Sequence, residues 1–112
     1  MNIQIFGAVK CFDTKKAERY FKERNIKFQW IDLYKFGLSK GEFASVKSAV
    51  GLNNLFNQET AEYKKLNLQF ISSAGMRERI LLENPRLFKT PIVRNGRQAT
   101  VGYQPDVWKD WE

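Results

Sequence analysis

The segment "IFGAVKCFDTKKAERYF" (residues 5–21) decides how the rest of the chain is read. Its first part belongs to an alternating, Ile- and Phe-rich run, "NIQIF", which predicts a short strand. From Thr14 onward the period changes to that of a helix, with Ala17, Tyr20, Phe21 and Arg24 recurring three or four residues apart among charged positions. Thr14 is read as the cap of this helix, and "RNI" stops it near Asn25. The only cysteine of the chain, Cys11, falls at the handover from strand to helix. A thiol there meets the positive end of the helix dipole and free backbone N–H groups, and both favour thiolate. Lys10, Lys15 and Lys16 add positive charge and Asp13 opposes it. On the residues alone, Cys11 is equally well a small buried hydrophobe.

Outward from this segment, β-like and helical runs alternate. "KFQWIDLY" reads as a second strand covered on both faces. "KFGLSKGEF" is a turn leading into a helix, with Ser39 and Glu42 spaced as a capping box, Phe43, Val46 and Val50 as its apolar stripe and Gly51 at its end. Residues 52–58 look irregular, and "ETAEYKKL" forms a short helix. "SSAGMRERILLENP" predicts another, with Met76, Ile80 and Leu81 turned inward and Asn84–Pro85 as its stop. "TPIVRNGRQATVGY" predicts a β-hairpin turning at Asn95–Gly96. "PDVWKDW" closes the chain as a helix from Pro105 whose apolar face is Val107, Trp108 and Trp111. A β-α-β start implies a parallel pair, and the terminal hairpin adds antiparallel strands. The expected fold is therefore α/β with a four-stranded mixed sheet, in one domain spanning residues 1–112, with an inserted helical subdomain over about 39–84.

Composition excludes several function classes. With no histidine, His-based triads, His metal sites and His proton shuttles are ruled out, and one cysteine builds neither a zinc site nor an intrachain disulfide. Neither "GxxxxGK[ST]" nor "GxGxxG" occurs, so the usual phosphate cradles are missing. The 43% hydrophobic and 14% aromatic content is that of a folded domain. No apolar run is long enough to cross a bilayer and the first residues do not resemble a signal peptide, so a cytoplasmic monomer without membrane contact is expected. The formal net charge is +7, but the 19 basic residues are scattered rather than gathered with aromatics, and direct nucleic-acid binding is not expected.

Four stretches in order resemble the arsenate reductase (ArsC) and Spx family, whose fold is thioredoxin-like. They are "GAVKCFDTKKAERYF", "FQWIDLYK", "LFNQETAEYKKL" and "NPRLFKTPIVRNGRQATVGYQPD". The resemblance implies that Cys11 is the nucleophile, that Thr14 stabilises its thiolate and that Thr90 and a cis Pro91 position a substrate, with Lys10 and Lys15 beside them. Thr14 stands where redox-switch members carry a second cysteine, so no internal resolving thiol exists. The implied activity is that of a monothiol oxidoreductase with no bound cofactor, using an external thiol such as glutathione on a small thiol or oxidised protein substrate. The three arginines that hold the oxyanion in single-cysteine arsenate reductases have no counterpart at Thr90, near Asn57, or near Gly102 and Tyr103, which argues against arsenate reduction. The alternative implied by the Spx side of the family is a transcriptional regulator that binds the RNA polymerase α subunit, with Gly51 near the contact.

Overall fold

A computed structural model describes residues 1–111. The chain runs β1 (Ile3–Gly7), α1 (Phe12–Glu23), β2 (Phe28–Asp32), α2 (Leu33–Phe36), α3 (Lys40–Val50), α4 (Ala61–Lys65), α5 (Ala74–Glu83), β3 (Ile92–Asn95), β4 (Gln98–Val101) and α6 (Pro105–Trp108), with short 3₁₀ turns between several helices. The four strands form one mixed sheet in the order β2-β1-β3-β4. β1 and β2 are parallel, while β3 lies antiparallel to both β1 and β4.

Strand alternation divides the core into two layers. Ile3 and Ile5 of β1, with Val93 of β3, pack against Ala17, Tyr20 and Phe21 of α1 and against Trp108 of α6. Phe6 and Ile92 face the opposite way, onto Phe43 and Val46 of α3, Leu55, Phe56, Tyr63, Leu81, Leu87 and Phe88. The helices between β2 and β3 thus share a core with the sheet. On the α1 side, Trp108 is sealed among Tyr20, Phe21 and Tyr103, and its indole N–H donates to the Thr100 hydroxyl at 2.8 Å.

Local signals place most element ends. The Ser39 hydroxyl accepts from the Glu42 N–H at 3.2 Å while the Glu42 carboxylate accepts from the Ser39 N–H at 2.9 Å, a complete capping box. Gly51 ends α3 with φ of 86°, and Asn25 follows α1 with φ of 56°. In the hairpin, Asn95 is still paired with Gln98, so the two loop residues are Gly96 and Arg97 rather than Asn95 and Gly96. Only the first of these has positive φ, 61°, which is the pattern of a II′ turn with glycine leading.

Four further expectations are corrected. β2 is an edge strand whose residues are only partly buried or exposed, so it is not covered on both faces. α1 begins two residues before Thr14, with Cys11 as its N-cap, because the Thr14 side chain is turned into the core. Val107 is exposed, leaving Trp108 as the fully buried residue of α6. In α5 it is Arg77, not Met76, that is buried beside Leu81. The Arg77 guanidinium donates to the carbonyls of Leu68 and Ile71 and to the Tyr63 hydroxyl, and lies 4.6 Å over the Phe56 ring. A planar five-donor group satisfies backbone acceptors that a thioether cannot. Arg77→Met should therefore lower the unfolding free energy by about 2–4 kcal/mol, read as a shift in the urea midpoint, because buried carbonyls lose their donors.

Candidate active site at Cys11

β1 ends at Gly7, and the loop Ala8–Lys10 turns the chain directly into α1. The Cys11 N–H donates to the Ala8 carbonyl at 3.1 Å, and the Lys15 N–H donates back to the Cys11 carbonyl at 3.2 Å, which starts the helical ladder. The turn is locked from below by Thr14, 1% exposed, whose hydroxyl oxygen accepts from the Ala8 N–H at 3.3 Å. The strand end lies so close to this side chain that a Cβ on Gly7 would fall on the Thr14 methyl and 2.9 Å from its hydroxyl oxygen. Only glycine fits at position 7 without displacing the first turn of α1.

Cys11 is partly buried and free. Its thiol points at the Thr90 carbonyl, 3.6 Å away, and the Thr90–Pro91 peptide bond is cis. Burial acts to raise the thiol pKa, but hydrogen bonding from the hydroxyls of Thr14 and Thr90 and from the N–H groups of Thr14 and Asp13 outweighs it, leaving the pKa below the ordinary 9.0. Having accepted one hydrogen bond through its oxygen, the Thr14 hydroxyl retains its proton for the sulfur. The first turn of α1 supplies the rest. Lysine charge is not among the causes, so the downward shift rests on hydrogen bonding rather than on neighbouring cations.

The structure gathers Cys11, Thr14, Thr90 and Pro91 at the carboxyl end of β1 and separates the two lysines. Lys10 lines a cleft of about 370 Å³ with Ala8, Val9, Asp32, Tyr34, Lys35 and Arg86. Lys15 instead sits 6.0 Å over the ring of Phe12, which is 79% exposed. Val9 is also exposed, so an apolar rim flanks the thiol. Gly51 stands apart at the exposed end of α3, the helix that packs along the edge strand β4. Lys35 and Arg86 escape sequence reading because only folding brings them to Lys10. No three His, Cys, Asp or Glu side chains among the described residues are grouped to hold a metal ion.

Thr90, with no positive charge, occupies the wall of the thiol site, and the two arginines that follow it in sequence are committed elsewhere. Arg94 donates to the Gln4 side chain at 2.9 Å and approaches the Glu42 carboxylate at 4.0 Å. Arg97 sits in the hairpin loop, beyond the Asn95–Ile3 pair that marks the opposite end of β1 from Cys11.

The family model described as the ArsC family matches residues 6–111. The chain belongs to the ArsC family. Among curated proteins it is similar to the global transcriptional regulator Spx 2 of Oceanobacillus iheyensis, 27% identical over 110 residues, which cover 95% of this chain and 80% of that protein. Among solved structures it superposes on an arsenate reductase from Vibrio cholerae with a TM-score of 0.86 at 22% identity, covering 98% and 97% of the two chains. A looser match, TM-score 0.52 at 16% identity over 100% of this chain and 96% of the other, is to the glutaredoxin-like NrdH-redoxin of Escherichia coli. These likenesses establish the thioredoxin-like fold.

Because the folded thiol has the lower pKa, the unfolded chain binds more protons between that pKa and 9.0. The contribution of Cys11 to stability is accordingly present above 9.0 and lost as pH falls through the folded value. Thr14→Val removes the principal hydroxyl donor, so the pH profile of iodoacetamide alkylation should move to higher pH, whereas Thr14→Ser should stay near the parent profile. A Thr14→Val profile identical to the parent would show that the hydroxyl does not tune the sulfur.

Proposed function

We propose that this ArsC-family chain is a single-cysteine thiol–disulfide oxidoreductase resolved by an external thiol. The observation that carries this reading is the partly exposed Cys11 at the N-terminus of α1, with its pKa held down by the two threonine hydroxyls. In the first step the Cys11 thiolate attacks one sulfur of a mixed disulfide between a substrate and glutathione. The S–S bond breaks, Cys11 becomes bonded to the glutathione sulfur, and the substrate leaves as a thiolate that takes a proton from water. In the second step a glutathione thiolate attacks the glutathione sulfur on Cys11, releasing oxidised glutathione and restoring the Cys11 thiolate. Sulfur atoms and electrons balance with glutathione as the only reductant. The cleft of Lys10, Lys35 and Arg86 favours the carboxylates of such a co-substrate, and the exposed Val9 and Phe12 favour an apolar flank on the partner.

The distribution of arginines supports exchange between sulfurs over reduction of an oxyanion. Thr90 offers hydrogen bonds but no cation, and Arg94 is engaged by Gln4 and Glu42. The test is turnover of a glutathionylated peptide with glutathione. The parent protein should form a Cys11–glutathione adduct visible by mass spectrometry, with resetting first order in glutathione. Cys11→Ser should lose both adduct and turnover; full activity in that variant would sink the reading.

The similarity to a protein named global transcriptional regulator Spx 2 favours a second reading, a regulator that binds the C-terminal domain of the RNA polymerase α subunit. Gly51, exposed at the end of α3, would then lie in the contact. Capture of that domain by the parent protein and its loss in Gly51→Arg supports this reading; no capture at about micromolar concentration counts against it.

A further inference from the structure

Two exposed aromatic rings reach the thiol site from separate parts of the chain. Phe12, the residue after Cys11, is 79% exposed and belongs to neither core cluster. Taken singly, such a ring needs no explanation. The second ring comes from the turn after β4. The Gly102 N–H donates to the Pro91 carbonyl at 2.8 Å, which ties that turn to the cis Thr90–Pro91 segment whose Thr90 carbonyl accepts from the Cys11 thiol. The next residue is Tyr103, 40% exposed.

Lysines join the two rings. Phe12, Lys15 and Lys16 stand at i, i+3 and i+4 on α1 and so share one face of its first turns. The Lys15 ammonium lies 6.0 Å over the Phe12 ring, and the Lys16 ammonium lies 5.7 Å over the Tyr103 ring. Neither lysine forms an ion pair among the described residues. Between Ala8 and Ala17 the only acid is Asp13, against Lys10, Lys15 and Lys16. The strip thus offers apolar faces with uncompensated ammonium groups beside them, and its complement pairs an apolar side chain with a carboxylate. Glutathione supplies carboxylates but no apolar side chain for either ring. An extended peptide supplies both, and at about 3.3 Å per residue a few residues span such a strip.

We propose that the disulfide attacked by Cys11 belongs to a glutathionylated protein segment with an apolar residue beside its modified cysteine and carboxylates within a few residues, held by Phe12, Tyr103, Lys15 and Lys16. This substrate class rests on the thiol–disulfide exchange proposed above, and the chemical step is unchanged. The Cys11 sulfur bonds to the glutathione sulfur, the mixed disulfide breaks, and the segment's cysteine leaves as a thiolate that takes a proton from water. The segment's apolar residue covers the rings while its acids meet the lysines. Glutathione, by contrast, is drawn to Lys35 and Arg86 across the cleft on the other elements.

The experiment measures kcat/KM for glutathione-dependent release of three peptides, each glutathionylated at a single cysteine. The first carries Phe and Leu beside the cysteine and several nearby carboxylates, the second has Ser at the apolar positions, and the third has Gln at the acidic ones. The first should turn over about tenfold faster than the second, the scale of one apolar side chain taken out of water. It should also exceed the third, and only that preference should shrink as salt rises, because exposed charges are screened. Phe12→Ser and Tyr103→Ser should each bring the first ratio toward one. Each ratio is taken within one protein, so partial loss of folded material does not alter it. Lys15→Gln/Lys16→Gln should remove the preference for acids, and Lys64→Gln/Lys65→Gln, on α4, should change neither ratio. The mixed disulfide of glutathione with mercaptoethanol serves as the small reference substrate. Equal kcat/KM for the three peptides, or ratios unmoved in both Phe12→Ser and Tyr103→Ser, overturns the proposed substrate class while turnover of the reference leaves the exchange standing. No turnover of any of the four and no adduct at Cys11 overturns both.

Discussion

The fit of Thr14 under the end of β1 is the constraint on which the rest of the molecule depends. The buried hydroxyl ties the Ala8 N–H, and the missing side chain at Gly7 lets the helix approach the strand. That approach fixes the start of α1, and with it the depth at which Ala17, Tyr20 and Phe21 enter the core against Ile3, Ile5 and Trp108. It also fixes where Cys11 emerges relative to Thr90, which arrives on the separate strand-loop leading into β3. One side chain therefore couples packing to the ionisation of the thiol. Its oxygen holds the backbone turn, and its hydroxyl is the foremost of the hydrogen bonds that lower the Cys11 pKa.

Sheet geometry decides which charges can matter at the thiol. Arg94 and Arg97 lie close to Thr90 in sequence, yet β3 carries them away from Cys11 toward the other end of β1. Other charges take their place near the thiol loop, where Lys35 and Arg86, the latter on the chain that leads into Thr90, join Lys10 across a cleft. The lowered pKa of the sulfur does not depend on them, since hydrogen bonds bring it down against the opposing effect of burial.

Elements specified by local chemistry were legible in the sequence. The Ser39–Glu42 box, the glycine at the end of α3 and the terminal hairpin each rest on a few adjacent residues. The cis bond at Pro91 came from the family resemblance rather than from any local signal, because prolines of either isomer look alike in a sequence. Burial of a charged residue was illegible: Arg77 reads as surface, and its acceptors at Leu68 and Ile71 are carbonyls, which leave no trace in residue identity. The helix start was misplaced because Thr14 has two uses, and a threonine read as a cap is indistinguishable from one that props a preceding strand. Edge position was equally hidden for β2, since the alternation of Phe28, Trp30 and Ile31 does not say how many strands flank it.

Position 14 also sets the time scale on which any oxidised form of the protein persists. Its side chain is buried, and no second cysteine exists anywhere in the chain. A disulfide formed at Cys11 has no intramolecular exit, so its lifetime is governed by collision with another molecule. Doubling the surrounding thiol concentration halves that lifetime, whereas a paired cysteine on the same helix would reset at a rate set by the fold alone. The modified state is in this sense a record of the solution around the protein, erased at the pace that solution dictates.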